Sequence, residues 1–300
     1  VWAFTNDRIV YLQDEKGNED WRLHALQIDT LETRDLTPAK GVAARIQHLS
    51  PRHPDEIVAA LNDRDPKAHD LHRINLKTGA RKLILKNDRA FTGFVTDDDF
   101  LVRFGELTTS DGGSEIHRYA SKSKTWTLET RIPMEDALTT EPVGFDKSGD
   151  VLYLKDSRER DTGGLFAVDL KAGTKKLLAE DARTDAGFVL LHPTEKTVQA
   201  VAFDYDRRRW ELLDPTFKTD FESVGRELPG ELNIVSRTLD DRVWIIAVDR
   251  DSQAECFYLY DRPAKKLTRL FSSRSELENT TLAPMQAVTI RARDGLDRVG

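Results

Sequence analysis

The side chains best suited to chemistry in this 300-residue chain sit in short charged stretches: "NDRDPKAHD" with Arg64 and Asp65, "KDSRERDTGG" with Arg158, Glu159 and Arg160, and "DYDRRRW" with Asp206, Arg207, Arg208 and Arg209. A guanidinium offers a planar fork of N–H donors that fits a carboxylate bidentately, and a carboxylate in turn accepts from an amine. Such residues hold the ends of a charged ligand or dock another domain. Further stretches, "QDEKGNEDW", "GELTTSDGGSE" and "DRDSQAE", carry charges of the same mixed kind. Loops are solvated and polar in any protein, so position alone assigns no role to a single stretch.

Motifs for covalent chemistry are missing. The chain has no Gly-x-Ser-x-Gly elbow, no His-Glu-x-x-His, no phosphate-binding Gly-Lys-Ser/Thr loop and no Gly-x-Gly-x-x-Gly. His69 and His72 are three apart, and at strand spacing they point to opposite faces, which argues against a shared metal. The acidic stretches lack the ligand order of a calcium loop, so neither a metal nor a cofactor is expected. A single cysteine, Cys256 in "AECFYLYD", excludes an intramolecular disulfide and reads as a buried structural thiol. Asn279 in "NTT" fits a glycosylation triplet, a pattern too short to carry weight. With 45 Lys+Arg against 52 Asp+Glu, a formal charge of -7 offers no net attraction to nucleic acid or an anionic membrane. No apolar run reaches the roughly 18 residues of a membrane span. The start at Val1, directly on an apolar alternating segment, reads as a cut end from which a signal peptide could have been lost; a soluble protein, cytoplasmic or periplasmic, is expected, with the compartment unknown.

The charged stretches recur because the elements that position them recur. "WRLHALQIDTLETRDLT", "HDLHRINLKTGARKLIL", "SEIHRYASKSKTWTLE", "GGLFAVDLKAGTKKLLAE", "RRWELLDPTFKTDFES" and "ECFYLYDRPAKKLTRLF" align on Leu23, Leu71, Ile116, Leu165, Trp210 and Phe257, with spacings of 48, 45, 49, 45 and 47 residues. A second alternating pair around a tight turn precedes each, as in "PVGFDKSGDVLYL". Period-2 alternation, β-branched and aromatic residues, and Asp, Asn, Gly or Pro at the turns predict four short strands per repeat, with no sustained helical period. This is the pattern of an all-β protein, a β-propeller of four-stranded antiparallel blades. Six repeats are visible, at about 1–38, 42–86, 91–131, 142–180, 186–228 and 231–272, in a six-bladed ring or a seven-bladed one truncated at its N-terminus. In such a ring the charged loops open at one end and form a polar rim. The five Trp and thirteen Phe are expected in the core between blades.

"YLQDEKGNEDWRLHALQIDT", "LNDRDPKAHDLHRINLKTG", "EDALTTEPVGFDKSGDVLYLKDSRERDT" and above all "LAPMQAVTIRARDGLDRVG" at 282–300 resemble the propeller of the prolyl-oligopeptidase-like (S9) serine peptidases, the dipeptidyl-aminopeptidase and acylaminoacyl-peptidase group. The last stretch looks like that family's passage from propeller to α/β-hydrolase domain, so 273–300 is expected to be an exit segment, its alternation a strand lacking neighbours. The resemblance implies a non-catalytic propeller that gates the access of short peptides to a hydrolase site beyond this chain. Its partners would be the hydrolase domain of its own parent chain and those peptides, with oligomerisation open. The family's Ser, Asp and His all lie in the hydrolase part, so no catalytic residue carries over to any position here. No Glu-Glu pair occurs to anchor a substrate amine, and dipeptidyl, acylaminoacyl and oligopeptide specificity all stay open. As gate or docking residues the loops offer Arg64, Asp65, Arg158, Arg160, Asp206, Arg207 and Arg208. The competing readings are a stand-alone TolB- or WD40-like propeller that binds a protein partner, and a propeller enzyme with a site of its own. The first has no use for the exit segment, and the second, such as a lactonase or glycosidase, needs inward acidic or metal-binding residues near the tunnel, where "VWAFT", "RIQHL" and "GFVLL" are mainly apolar.

Overall fold

The computed structural model describes residues 1–37, 41–278 and 280–300. The chain is all-β, a propeller fold whose six blades divide between two compact units, Val1–Leu138 and Thr139–Gly300. In the first unit, blade 1 holds β1 (Arg8–Gln13), β2 (Arg22–Gln27) and β3 (Thr33–Asp35). The segment before β1 pairs with it, Val10 N–H donating to Val1 O at 2.8 Å and Ala3 N–H to Arg8 O at 2.9 Å. Blade 2 holds β4 (Ala44–Leu49), β5 (Glu56–Asp65), β6 (Ala68–Asn75) and β7 (Arg81–Leu85). Blade 3 holds β8 (Gly93–Thr96), β9 (Val102–Thr108), β10 (Ser114–Ala120) and β11 (Thr125–Ile132).

In the second unit, blade 4 runs β12 (Glu141–Phe145), β13 (Val151–Asp156), β14 (Gly164–Asp169) and β15 (Lys175–Ala179). Blade 5 has β16 (Ala186–Leu191), β17 (Val198–Asp204) and β18 (Arg208–Leu212), followed by the helix α1 (Pro215–Glu227). Blade 6 has β19 (Glu231–Arg237), β20 (Val243–Arg250), β21 (Gln253–Asp261) and β22 (Lys266–Ser272). Within every blade the strands pair antiparallel with their neighbours in chain order, so each connection is a hairpin. The turns are chemically specified. In "NLKTG" the Asn75 carboxamide accepts from the N–H groups of Lys77 and Thr78, and in "DLKAG" Asp169 accepts from Lys171 and Ala172. Both turns close on a glycine in the left-handed region, Gly79 at φ 74° and Gly173 at φ 69°.

Two elements differ from the expectation. The stretch "FKTDFES", expected to be the fourth strand of blade 5, lies in α1. Its Asp214 N-cap accepts from the N–H groups of Thr216 and Phe217 at 2.8 and 2.9 Å, with Pro215 in the first turn. Phe217, Phe221, Val224 and Leu228 follow at helical spacing and pack with Leu232, Trp244 and Ile246. The exit segment also has a strand partner: β23 (Thr289–Arg291) pairs with β24 (Asp297–Val299) in a hairpin. Its turn is "ARDGL", in which Asp294 accepts from Leu296 N–H and Gly295 sits at φ 87°.

The core anchors Leu23, Leu71, Ile116 and Leu165 are buried, whereas Trp210 and Phe257 are half-buried. Trp244 is fully buried, and Trp126 joins Phe91, Phe94 and Tyr119 in one aromatic cluster, but Trp2 and Trp21 are exposed. Cys256 is half-buried rather than buried, with its thiol 3.4 Å from Ala254 O. Asn279 lies outside the described residues. Among the described residues, no helix is long and apolar enough to cross a membrane.

Candidate functional site

In blades 2 to 6 the charged loops join the second and third strands of the sheet; Arg64, Arg158 and Arg208 are each held by a carboxylate close by in the chain, whereas Arg160, Arg207 and Arg209 reach carboxylates on other segments. In blade 2, Arg64 at the end of β5 grips Asp70 with both arms of its fork, at 2.7 and 2.8 Å, and donates to Asn87 O at 3.1 Å. Burial alone would raise the Asp70 carboxyl, but the bonds from Arg64 and Asn87 N–H outweigh it and hold the group below its usual range. Asp65 closes the β5–β6 turn by accepting from Lys67 N–H at 2.9 Å.

Blade 4 repeats the device. Arg158 holds the buried Asp156 bidentately, at 2.9 and 2.6 Å, and Lys175 of β15 reaches the same carboxylate at 2.6 Å. Burial pushes Asp156 up, and these three cationic bonds, with the Arg158 N–H, pull it far below an ordinary carboxyl. Arg160 pairs with Glu180 and donates to Thr162 O, its guanidinium lying 5.4 Å from the centre of the Phe166 ring. Glu159 takes a left-handed φ of 60° at the tip.

In blade 5 the β17–β18 turn carries Asp206 and Arg207, and Arg208 and Arg209 open β18. Arg208 holds Asp204 bidentately at 2.7 and 2.9 Å and donates to Asn233 of blade 6 at 2.6 Å. The Asp204 bond keeps the guanidinium firmly charged. Asp206 is exposed and accepts from Arg207 N–H at 3.0 Å. Arg207 bonds Asp251 at 3.1 Å and the Met285 carbonyl at 3.0 Å, which brings the exit segment to this turn. A cavity of about 420 Å³ opens beside it, lined by Tyr205, Asp206, Arg207, Glu231, Met285 and Val299 among others.

The loops of blades 4 and 5 are stitched together through residues 180–185. Thr162 donates to Asp181 O at 2.5 Å, Arg209 reaches the Asp181 carboxylate at 2.7 Å, and Asp185 accepts from Gly163 N–H at 2.6 Å. Arg158 and Arg160 are thereby linked to the Asp206–Arg209 turn, whereas Arg64 and Asp65 lie in the first unit. What this set can do chemically is hold charge in fixed places. Among the described residues, no three His, Cys, Asp or Glu side chains gather closely enough to hold a metal ion.

One charged cluster escaped the sequence reading. Asp220 of α1 accepts from Tyr260 Oη at 2.9 Å and Arg262 Nε at 3.0 Å and pairs with Lys265. Arg262 continues to Asp241 at 2.6 Å, which also takes Trp244 Nε1 at 2.8 Å and Gln199 Nε2 at 3.1 Å. Burial with the Asp220 hydrogen bond drives the Tyr260 hydroxyl well above its ordinary range, so it stays a donor. The signal was the Asp214-Pro215 start of a helix, which places Asp220 on the same face as Phe217 and Val224.

No family model matches the chain. It is 39% identical over 293 residues to dipeptidyl aminopeptidase BIII of Pseudoxanthomonas mexicana, which covers 98% of this chain and 42% of that protein. It is 29% identical over 309 residues to dipeptidyl peptidase family member 6 of Caenorhabditis elegans, again 98% of this chain and 42% of the relative. The chain thus spans less than half the length of these curated relatives. Among solved structures, a Mycobacterium tuberculosis puromycin-hydrolyzing peptidase superposes with a TM-score of 0.62 at 14% identity, over 98% of this chain and 49% of the other. At that identity the likeness is one of fold.

Proposed function

We infer that this chain is the propeller part of an S9-type serine peptidase, itself non-catalytic, which admits short peptides to an α/β-hydrolase site carried by the rest of the polypeptide. The observation that bears most on this reading is the 39% identity to a dipeptidyl aminopeptidase along 98% of the chain, against only 42% of that relative's length. The names of both relatives favour release of dipeptides from a peptide's amino terminus over the acylaminoacyl and oligopeptide alternatives.

The loop chemistry supports a gate of fixed shape. Arg64, Arg158 and Arg208 already spend their bidentate grip on Asp70, Asp156 and Asp204, so they set the form of the loops that bear them. Arg160 and Asp65 act in the same way within their own turns, while Asp206 and Arg207 stand exposed where a peptide or the neighbouring domain meets the loops. A hydrolase with an open nucleophile attacks any accessible chain, and a rigid cover selects by size.

The test is fluorophosphonate labelling of the natural polypeptide that contains this sequence, with dipeptidyl p-nitroanilides as substrates. Covalent labelling together with dipeptide release is the expected result. A natural polypeptide that takes no label would overturn the reading and turn attention to the charged loops as a protein-binding surface.

A further inference from the structure

Near its start the exit segment stays bonded to blade 6, through Ser273 N–H to Glu255 O and Arg269 to Glu278, and within residues 281–300 it is tied to the blades at one residue. Met285 N–H donates to Asp251 Oδ2 at 2.8 Å, and Met285 O accepts from Arg207 at 3.0 Å. The two side chains that hold this backbone are themselves paired at 3.1 Å through the same Asp251 oxygen and the same Arg207 nitrogen. Among the described residues, no other hydrogen bond or ion pair joins residues 281–300 to a blade; the remaining bonds of the segment close its own hairpin, as between Val288 and Gly300.

We infer that Arg207 and Asp251 form a one-residue clamp on the main chain of Met285, and that this clamp is the hinge point between the blades and the exit hairpin. The clamp reads backbone only, and the Met285 side chain is left exposed. Its register is set by Pro284, which has no N–H to give, so the clamp cannot engage one residue earlier. Arg207 comes from the β17–β18 turn of blade 5 and Asp251 from the β20–β21 turn of blade 6, so the clamp closes only while these two turns keep their spacing. The hydrogen bond from Met285 N–H, followed by that from Arg207, holds the Asp251 carboxyl below its usual range and thus ionised. Because the ion pair is half-exposed at Arg207, salt weakens it.

The clamp stands on the geometry alone; its consequence for catalysis, that it sets how the hydrolase part approaches the loops, rests on the function proposed above. Residue-resolved amide exchange on the natural polypeptide tests the first, and dipeptidyl p-nitroanilide turnover tests the second. In the wild type the Met285 amide is expected to be protected, and Asp251→Ala should speed its exchange about tenfold, with the amides of Phe203 and Val248 unchanged. Arg207→Ala should have a smaller effect in the same direction, and Arg207→Lys should restore part of the protection. Equal protection in Asp251→Ala, or an unprotected Met285 in the wild type, overturns the clamp whatever the turnover. A working clamp in a protein without peptidase activity overturns only the functional reading.

Discussion

Asp156 and Asp220 do the same physical work in the second unit. Each is a buried carboxylate whose burial raises its pKa and whose cationic partners, Arg158 and Lys175 in one case and Lys265 and Arg262 in the other, lower it further than burial raises it. Their folded values therefore lie below the ordinary 3.8. A group depressed in the folded state contributes stability that is complete above its unfolded value and is withdrawn as the pH falls through the folded one. The urea midpoint of the protein should consequently drop below about pH 4. In Asp156→Asn the midpoint should be lower at pH 7, and the gap to wild type should narrow on acidification; a gap that stays constant across that range would dissociate the stability from this carboxylate. The loop arginines were legible as residues in the sequence, but their partners were not. Asp70, Asp156 and Asp204 lie six, two and four residues away, and only the pairing of strands decides which neighbouring carboxylate a fork meets.

At the scale of elements, alternation made most strands readable, because a half-buried strand has to present apolar residues with period 2. The reading failed where two periods compete over a short stretch. In "DPTFKTDFESVGREL" the repeat register called for a strand, while Asp214-Pro215 and the spacing of Phe217, Phe221, Val224 and Leu228 called for the helix that forms. At the exit, "VTIR" looked unpaired because its partner follows the Asp294-Gly295 turn, the shortest of hairpin signals. The helix can be tested separately from the sheets. Asp214→Ala removes the cap and should cost about 1 kcal/mol. Phe217→Ala empties a fully buried site and should cost roughly 4 kcal/mol. Both are read from urea unfolding, and a loss from Asp214→Ala alone as large as that from Phe217→Ala would mean that the cap supports more than this helix.

For the whole molecule, composition excluded nucleic acid as a first guess, and the 45- to 49-residue period led to the propeller, since a regular spacing of hairpins has few other ways to bury its apolar faces. The resemblance seen in the exit motif and blade stretches is matched by the relatives, whose names are those of dipeptidyl peptidases. If the propeller is a gate, the natural polypeptide should hydrolyse dipeptidyl amides and short peptides and leave a denatured protein chain intact. Degradation of the long chain at a comparable rate, followed by gel electrophoresis, would remove size selection from its function. Where the other full blades of the second unit have a fourth strand, blade 5 has α1. An outermost strand shares a ladder with one neighbour, whereas an inner strand shares two, so its loss unpairs half as many backbone groups. The last strand position of blade 5 is therefore one where a helix can stand in for a strand at the expense of a single ladder, which leaves the pairing of β16, β17 and β18 intact.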